Sequence, residues 1–300
     1  MSSTALSTPP ITSVAIAPES AAAERYRSAR VAAFPPQPDL NLQRYPGRII
    51  DDLVFTNVYL GGASAWSNDD IAHIDAALPA AMSDLHLNNV LAQYYPDSFP
   101  TTTFKPSRVL EGPLPDRIYR DTIEHLVAAT DVSGFDLAAS VFCYFLPRGT
   151  VLVDGNSDDQ GHQVDSQHGL GGYHGSIHTD ADTVYYAVGA FSDGSNGIDV
   201  FPEGWKNTCA VFYHELCEAR TDPDVEDAIR AGNASSATDY LGWYSPRGGE
   251  IGDIPLEEAG SNLAAVIVEA PLTDGGGTVP VQLMWSNAVS GPEGPIAEKH

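Results

Sequence analysis

The sequence predicts an α+β fold in which a mixed β-sheet packs on one buried helix. Three observations lead to it. Short apolar runs of strand character are interspersed with amphipathic helical stretches, without the regular βαβ period of an all-parallel sheet. One apolar run, Thr208-Cys209-Ala210-Val211-Phe212-Tyr213, leads straight into His214-Glu215-Leu216-Cys217-Glu218 with no Gly or Pro before Pro223, and reads as a helix entering the core. With 300 residues and 43% hydrophobic content, the chain can bury a core of that size.

Taken in order, residues 1–46 are expected as a mobile arm. They are low-complexity at first, then allow a short helix over Ala21 to Ala33, and then reach Phe34-Pro35-Pro36-Gln37-Pro38, which cannot continue one. The folded body is expected over 47–292, with a tail over 293–300. Ile49 to Leu60 reads as the first strand. Ser67 and Asp70 have the spacing of a capping box, and Ile71, Ile74, Leu78, Met82 and Leu85 make the buried stripe of the helix behind it. Val90 to Tyr95 is short and apolar, Pro96 to Pro106 reads as loop, and Asp116 opens a second amphipathic helix through Ile118, Thr122, Leu126 and Val127. Leu137 to Leu146 and Gly149 to Val153 read as strands joined at Pro147-Arg148, and Thr183 to Ala190 as another. The helix over Asn207 to Thr221 follows. Val266 to Ala270 and Val279 to Trp285, separated by Asp274-Gly275-Gly276-Gly277, supply the last strands.

Composition excludes some partners. The formal net charge of −25 argues against nucleic acid, which needs clustered Lys and Arg, and favours cation binding. The charge is uneven: residues 1–48 hold five Arg against three acids, and the remainder ten bases against 37 acids. No apolar run approaches a membrane span, and the first residues lack the pattern of a secretory signal, so no membrane contact and a cytoplasmic location are expected. Cys143, Cys209 and Cys217 are odd in number and sit in apolar surroundings, which suits free buried thiols.

The chemistry centres on the long helix. Positions i and i+4 share a helix face, so His214 and Glu218 can point at one ion while Glu215 projects beside them. This is the geometry of the H-E-x-x-H metallopeptidase helix with a carboxylate in the place of the second histidine. Imidazole and carboxylate both suit Zn²⁺, and a neighbouring carboxylate, Glu215, can take a proton from water and hand it to a leaving amine. The extra negative charge favours Mn²⁺ or Ca²⁺ as alternatives to zinc.

Several segments resemble one family. Gly172-Tyr173-His174, Tyr186-Ala187-Val188, His214 to Ala219 with Thr221-Asp222-Pro223, Glu250-Ile251-Gly252-Asp253, and Met284-Trp285-Ser286-Asn287-Ala288 occur in the order seen in the EXORDIUM-like, or phosphate-induced, proteins. Tyr59 with Gly61, and Leu91 to Tyr94, look similar too, so the likeness runs from about 49 to 290. The resemblance implies a zincin-like domain with a metal site, in a family whose activity is poorly defined. Plant members are secreted and carry cysteines beside two of these motifs, where this chain has Gly171 and Ile254-Pro255.

A third ligand must come from elsewhere, and Glu250 and Asp253 are the candidates. By analogy with thermolysin-like sites, one of them binds the ion and the other braces His214; Gly252, which lets the backbone come close, favours Asp253 as the ligand. His162, His168, His174 and His178 fall within seventeen residues of a Gly- and Asp-rich segment that reads as a binding rim. His174 matches a motif and is expected to reach the metal or to donate to a developing oxyanion, with His178 as a further candidate. Asp222 is expected to end the helix rather than to bind metal. The D-x-N-x-D pattern at Asp154-Gly155-Asn156-Ser157-Asp158, with Asp165, reads as a solvated loop rather than a calcium site, because Asp159 stands where Gly is needed. Tyr213, Tyr240, Trp243 and Tyr244 are expected mainly in packing. The sequence therefore points to a zinc-dependent peptidase or amidase acting on a peptide or small molecule, with Glu215 and His174 catalytic. The alternative is a metal-stabilised binding or signalling module.

Overall fold

A computed structural model describes residues 34–157, 163–179 and 182–300, together with the backbone of residues 14–16. Strands β1 (Val14–Ile16), β2 (Gln43–Arg44) and β3 (Asp52–Tyr59) precede helices α1 (Asn68–Ser83) and α2 (Leu85–Leu91). Then come β4 (Thr101–Val109), β5 (Arg117–Tyr119), α3 (Arg120–Ala128), β6 (Ser140–Leu146), β7 (Val151–Asp154), β8 (Val164–Asp165), β9 (Leu170–His178) and β10 (Thr183–Ala190). The chain continues through α4 (Gly204–Thr221), α5 (Val225–Ala231), β11 (Trp243–Tyr244) and α6 (Asp253–Ala259). It ends with β12 (Ile267–Pro271), β13 (Thr278–Gln282), β14 (Met284–Ser286) and β15 (Gly291–Glu293).

The architecture is α+β with a mixed sheet, as expected. Six strands run in the spatial order β1-β9-β10-β6-β3-β4. The four from β10 to β4 are mutually parallel, while β9 is antiparallel to β10 and β1 antiparallel to β9. β6 and β10 are buried on both faces, which is why they read as unbroken apolar runs. Phe55, Tyr59, Val141, Cys143, Phe145 and Ala187 face α1 and α4. Val58, Phe142, Tyr144, Tyr186 and Val188 face α3 and the small β5-β7-β8 sheet.

α4 lies between the main sheet, α1 and the β12–β13 hairpin, so every residue from Asn207 to Thr221 is buried. Its close approach needs small residues on the sheet. Phe212 stacks on Phe145 with ring centroids 3.6 Å apart, and a Cβ at Gly189 would stand 2.7 Å from the Phe212 ring. The three cysteines are free and buried. Among the described residues no helix is long and apolar enough to cross a membrane.

Several expectations need correction. Residues 34–46 are not part of a mobile arm: Leu42 is buried, its backbone held by the Asn287 side chain through two 2.8 Å bonds, and β2 pairs with β11. The helix expected over 21–33 lies outside the described residues. The stretch 293–300 is tied down, since the Ile296 N–H donates to the His86 carbonyl and the Asn89 amide to the Ile296 carbonyl. Thr101 to Val109, expected partly as loop, is the edge strand β4. Pro106 is tolerated there because an edge strand leaves one side unpaired, and the pairing with β3 shifts register between Thr56 and Val58. The helix expected from Asp116 starts only at Arg120, after β5. Ser67 caps α1 as expected, its hydroxyl accepting from the Asp69 and Asp70 N–H groups.

Candidate metal centre

The site forms where α4 faces β9 and the segment 250–253. α4 brings His214, Glu215 and Glu218, β9 brings His174, and the turn after Gly249 brings Glu250 and Asp253. All six are essentially excluded from solvent, Asp253 being the most open at 5% exposure. β9 is the principal correction: its Gly-rich sequence reads as loop, yet it is a buried strand. Residues 172 and 174 point at α4 by the period-two alternation, while Tyr173 points at the opposite face. The glycines make room for the helix. A Cβ at Gly171 would stand 3.1 Å from Val211, and one at Gly172 would stand 3.0 Å from Glu215 Oε1.

His214 is oriented by a residue the sequence reading missed. The Gly252 carbonyl can only accept, so the Gln282 amide nitrogen lies against it at 2.6 Å and Gln282 Oε1 faces His214 Nδ1 at 3.1 Å. In its neutral form the ring then keeps its proton on Nδ1, and Nε2 is directed at Glu218 Oε2 (3.1 Å), Asp253 Oδ1 (3.7 Å) and Glu215 Oε1 (3.9 Å). Glu218 Oε1 is held by the Gly252 and Asp253 N–H groups at 3.1 and 3.0 Å, which leaves Oε2 for the cluster. A buried amide in the otherwise apolar run Val279-Pro280-Val281-Gln282-Leu283 was the available signal for Gln282. The brace that the thermolysin analogy gave to Glu250 or Asp253 is therefore supplied by Gln282.

His174 is fixed by a parallel device. Its Nε2 lies 3.1 Å from the Asp222 carbonyl, so the ring proton is committed there, and Nδ1 faces Glu215 Oε2 at 3.5 Å and Glu218 Oε2 at 3.7 Å. A free N–H for an oxyanion is not left over. Asp222 follows the last residue of α4, as expected, and its Oδ1 accepts from the Gly242 N–H at 2.7 Å.

The charges in this pocket are costly as they stand. Burial, with the charge of Glu218 next, holds Glu250 and Asp253 well above the usual carboxylate range. Burial, opposed by the neighbouring His174 imidazole, raises Glu215 to about 8. Burial pushes His214 down, but Glu218, Asp253 and Gln282 outweigh it and leave the imidazole above its ordinary value. Among the described residues, His174 Nδ1, His214 Nε2, Glu218 Oε2, Asp253 Oδ2 and both oxygens of Glu215 and Glu250 have no hydrogen-bond partner. Unpartnered buried carboxylates of this kind call for a counter-charge. These atoms fit a divalent cation: His214, Glu218 and Asp253 offer ligand atoms within 4.8 Å of one another, and so do His174, Glu218 and Glu250.

The other candidates lie elsewhere. His162 is outside the described residues. His168 is exposed and bonded to Asp165 at 2.6 Å, and His178 contacts Asp227 (2.5 Å) and Thr183 at the surface, so neither reaches the centre. In the acidic loop, Asp154 pairs with Arg120 and Asp165 with Arg117, so arginines already satisfy two of the carboxylates of the pattern, while Asp158 and Asp159 lie outside the described residues. Tyr213 and Tyr244 are buried in packing, Tyr240 is exposed, and the Trp243 indole N–H donates to the Tyr94 carbonyl.

No family model matches the chain and no curated protein matches it. Among solved structures, metalloproteinase-II from Bacteroides fragilis aligns over 75% of this chain at 12% identity and a TM-score of 0.26. The match spans 55% of that protein's own length. A likeness that slight carries no argument about function; the geometry of the centre does.

Proposed function

We propose that the protein is a metal-dependent hydrolase of the peptidase or amidase class, with a zincin-like arrangement of helix and sheet. One observation carries the proposal: Nε2 of His214 is turned by Gln282 onto Glu218 and Asp253, with Glu215 alongside and, among the described residues, neither of its oxygens hydrogen-bonded. His214, Glu218 and Asp253 would hold Zn²⁺, with Mn²⁺ or Ca²⁺ as alternatives. A bound divalent cation would supply Lewis acidity toward a carbonyl and lower the pKa of water. Glu215 would accept the proton of the attacking water and return it to the leaving nitrogen. Gln282 and the Gly252 N–H keep the imidazole and Glu218 aimed, so that ordering cost is met before substrate arrives.

An extended peptide is the substrate class best supported. The outer edge of β9 takes a strand, β1, in antiparallel register, with Ala15 opposite Gly172. Gly172 is the residue whose Cβ would crowd Glu215, so a segment on that edge runs one strand away from the proposed base. The EXORDIUM-like resemblance belongs to this reading, since its segments on β9, β10, α4 and 250–253 surround the cluster and the Trp285 N–H donates to the Ile251 carbonyl.

A second reading, a structural ion in a binding module, is favoured by the depth of the site. The apolar cavity that meets His214, lined by Ile198, Val211, Leu256, Leu263 and Ile267, has room for about one water. Metal content combined with a peptide-library cleavage screen decides between the two. The hydrolase reading expects Glu215→Gln to keep the metal and lose cleavage, and His214→Ala to lose both. Cleavage by Glu215→Gln at the rate of the unaltered protein would remove Glu215 as the base, and the metal without any cleavage would favour the binding module.

A further inference from the structure

We propose that this centre takes two divalent cations bridged by Glu218, the second held by His174, Glu218 and Glu250. The second ion rests on the metal-dependent reading for the first, and would make a mononuclear centre dinuclear. Two groups of ligand atoms, each mutually within 4.8 Å, meet at Glu218: His214, Glu218 and Asp253 on one side, His174, Glu218 and Glu250 on the other. Carboxylate-bridged pairs of ions stand about 3.5–4 Å apart, a separation that one side chain spans.

Three further observations point to an ion on the second side. Glu250 is wholly buried and, among the described residues, neither of its oxygens accepts a hydrogen bond; it makes an ion-pair contact with His174 Nε2 at 3.5 Å, a nitrogen whose proton goes to the Asp222 carbonyl. The other nitrogen of that ring, Nδ1, is also buried and unpartnered, and its lone pair faces oxygens of Glu215 and Glu218. A lone pair opposed to two carboxylate oxygens is repulsive, and a cation among them reverses the sign. Finally, Glu215, Glu218, Glu250 and Asp253 form ion pairs with His174 and His214 and, among the described residues, with no Lys or Arg. One divalent ion would match half of the charge these four carboxyl groups carry when ionised, and two would match all of it. Glu215, with Oε1 toward His214 and Oε2 toward His174, faces both positions.

The test is the stoichiometry of Mn²⁺ on the full chain, stripped with chelator and re-equilibrated by dialysis, read by elemental analysis and by electron paramagnetic resonance. The expected result is two Mn²⁺ per chain with the exchange-coupled spectrum of a bridged pair. Glu250→Gln, which keeps side-chain volume, and His174→Ala should each leave one Mn²⁺ with an uncoupled spectrum, whereas Asp227→Asn, in the surface group of His178, Asp224 and Asp227, should leave two. Saturation of the unaltered chain at one ion would overturn the dinuclear proposal and leave the mononuclear reading standing, while no binding at all would overturn both. Two ions persisting in Glu250→Gln, or one lost in Asp227→Asn, would put the second ion elsewhere and also overturn it.

Discussion

Replacing Gly252 by alanine tests how closely the segment 250–253 must approach α4. The residue has φ −95°, which any amino acid adopts, so the effect of a side chain there is steric rather than conformational. A Cβ would stand 2.4 Å from His214 Nδ1, 2.8 Å from His214 Cε1 and 2.9 Å from Glu218 Oε1. None of these atoms is the loose end of an exposed chain. The ring is wholly buried and bonded to Gln282, and Glu218 Oε1 accepts from two backbone N–H groups. Relief therefore requires the turn to move away, carrying Asp253 and the two N–H donors with it. Overpacking of this kind costs about 1–3 kcal/mol, and loss of the groups that orient metal ligands typically lowers affinity about 10–100-fold. The assay is thermal unfolding in chelator, paired with a zinc titration against a competing chelator. Gly291→Ala is the control, since the nearest atom there is the Val289 carbonyl oxygen at 4.0 Å. A Gly252→Ala protein that melts with the unaltered chain and binds zinc equally well would refute the packing argument.

Gln282→Leu should lower zinc affinity about 10–100-fold with His214 still present, because the ring loses the acceptor that keeps its proton on Nδ1; unchanged affinity in the same titration would count against it. The metal-free protein should lose stability as pH rises. Glu215 stands at about 8 in the folded chain against an ordinary value of 4.5, and Glu250 and Asp253 are raised too, so between those values the folded state binds more protons than the unfolded one. Stability is then fully present below the ordinary carboxylate range and falls as pH climbs through about 8, by a few kcal/mol at about 1.4 kcal/mol per pKa unit. Melting curves in chelator from pH 5 to 8.5 should show the fall, and saturating zinc should flatten it.

The parts of the fold legible in the sequence are those whose burial is written locally. α4 shows as an apolar run free of Gly and Pro, and β6 and β10 as apolar runs covered on both faces. β9 is illegible for the reason that makes it functional: Gly171 and Gly172 are there to admit Val211 and Glu215, and composition alone turns such glycines into loop. β4 hides because Thr101-Thr102-Thr103 and Pro106 suit an exposed edge, and α5 and α6 because seven residues give too few turns for a stripe. At the site, the spacing of His214, Glu215 and Glu218 was readable because one helix carries them. Glu250 and Asp253 were readable as a pair of acids beside a glycine, but which imidazole each faces depends on tertiary placement. The Gln282 brace, 68 residues from His214, could not be paired with it from sequence.

Whether a cation sits among His214, Glu218 and Asp253 is decided by crystals of the full chain grown with zinc, with anomalous differences collected at the zinc edge. The expected result is a peak at bonding distance, about 2.0–2.2 Å, from His214 Nε2, Glu218 Oε2 and an Asp253 oxygen. An ordered His214 with no anomalous peak between it and Glu218 would rule the metal centre out.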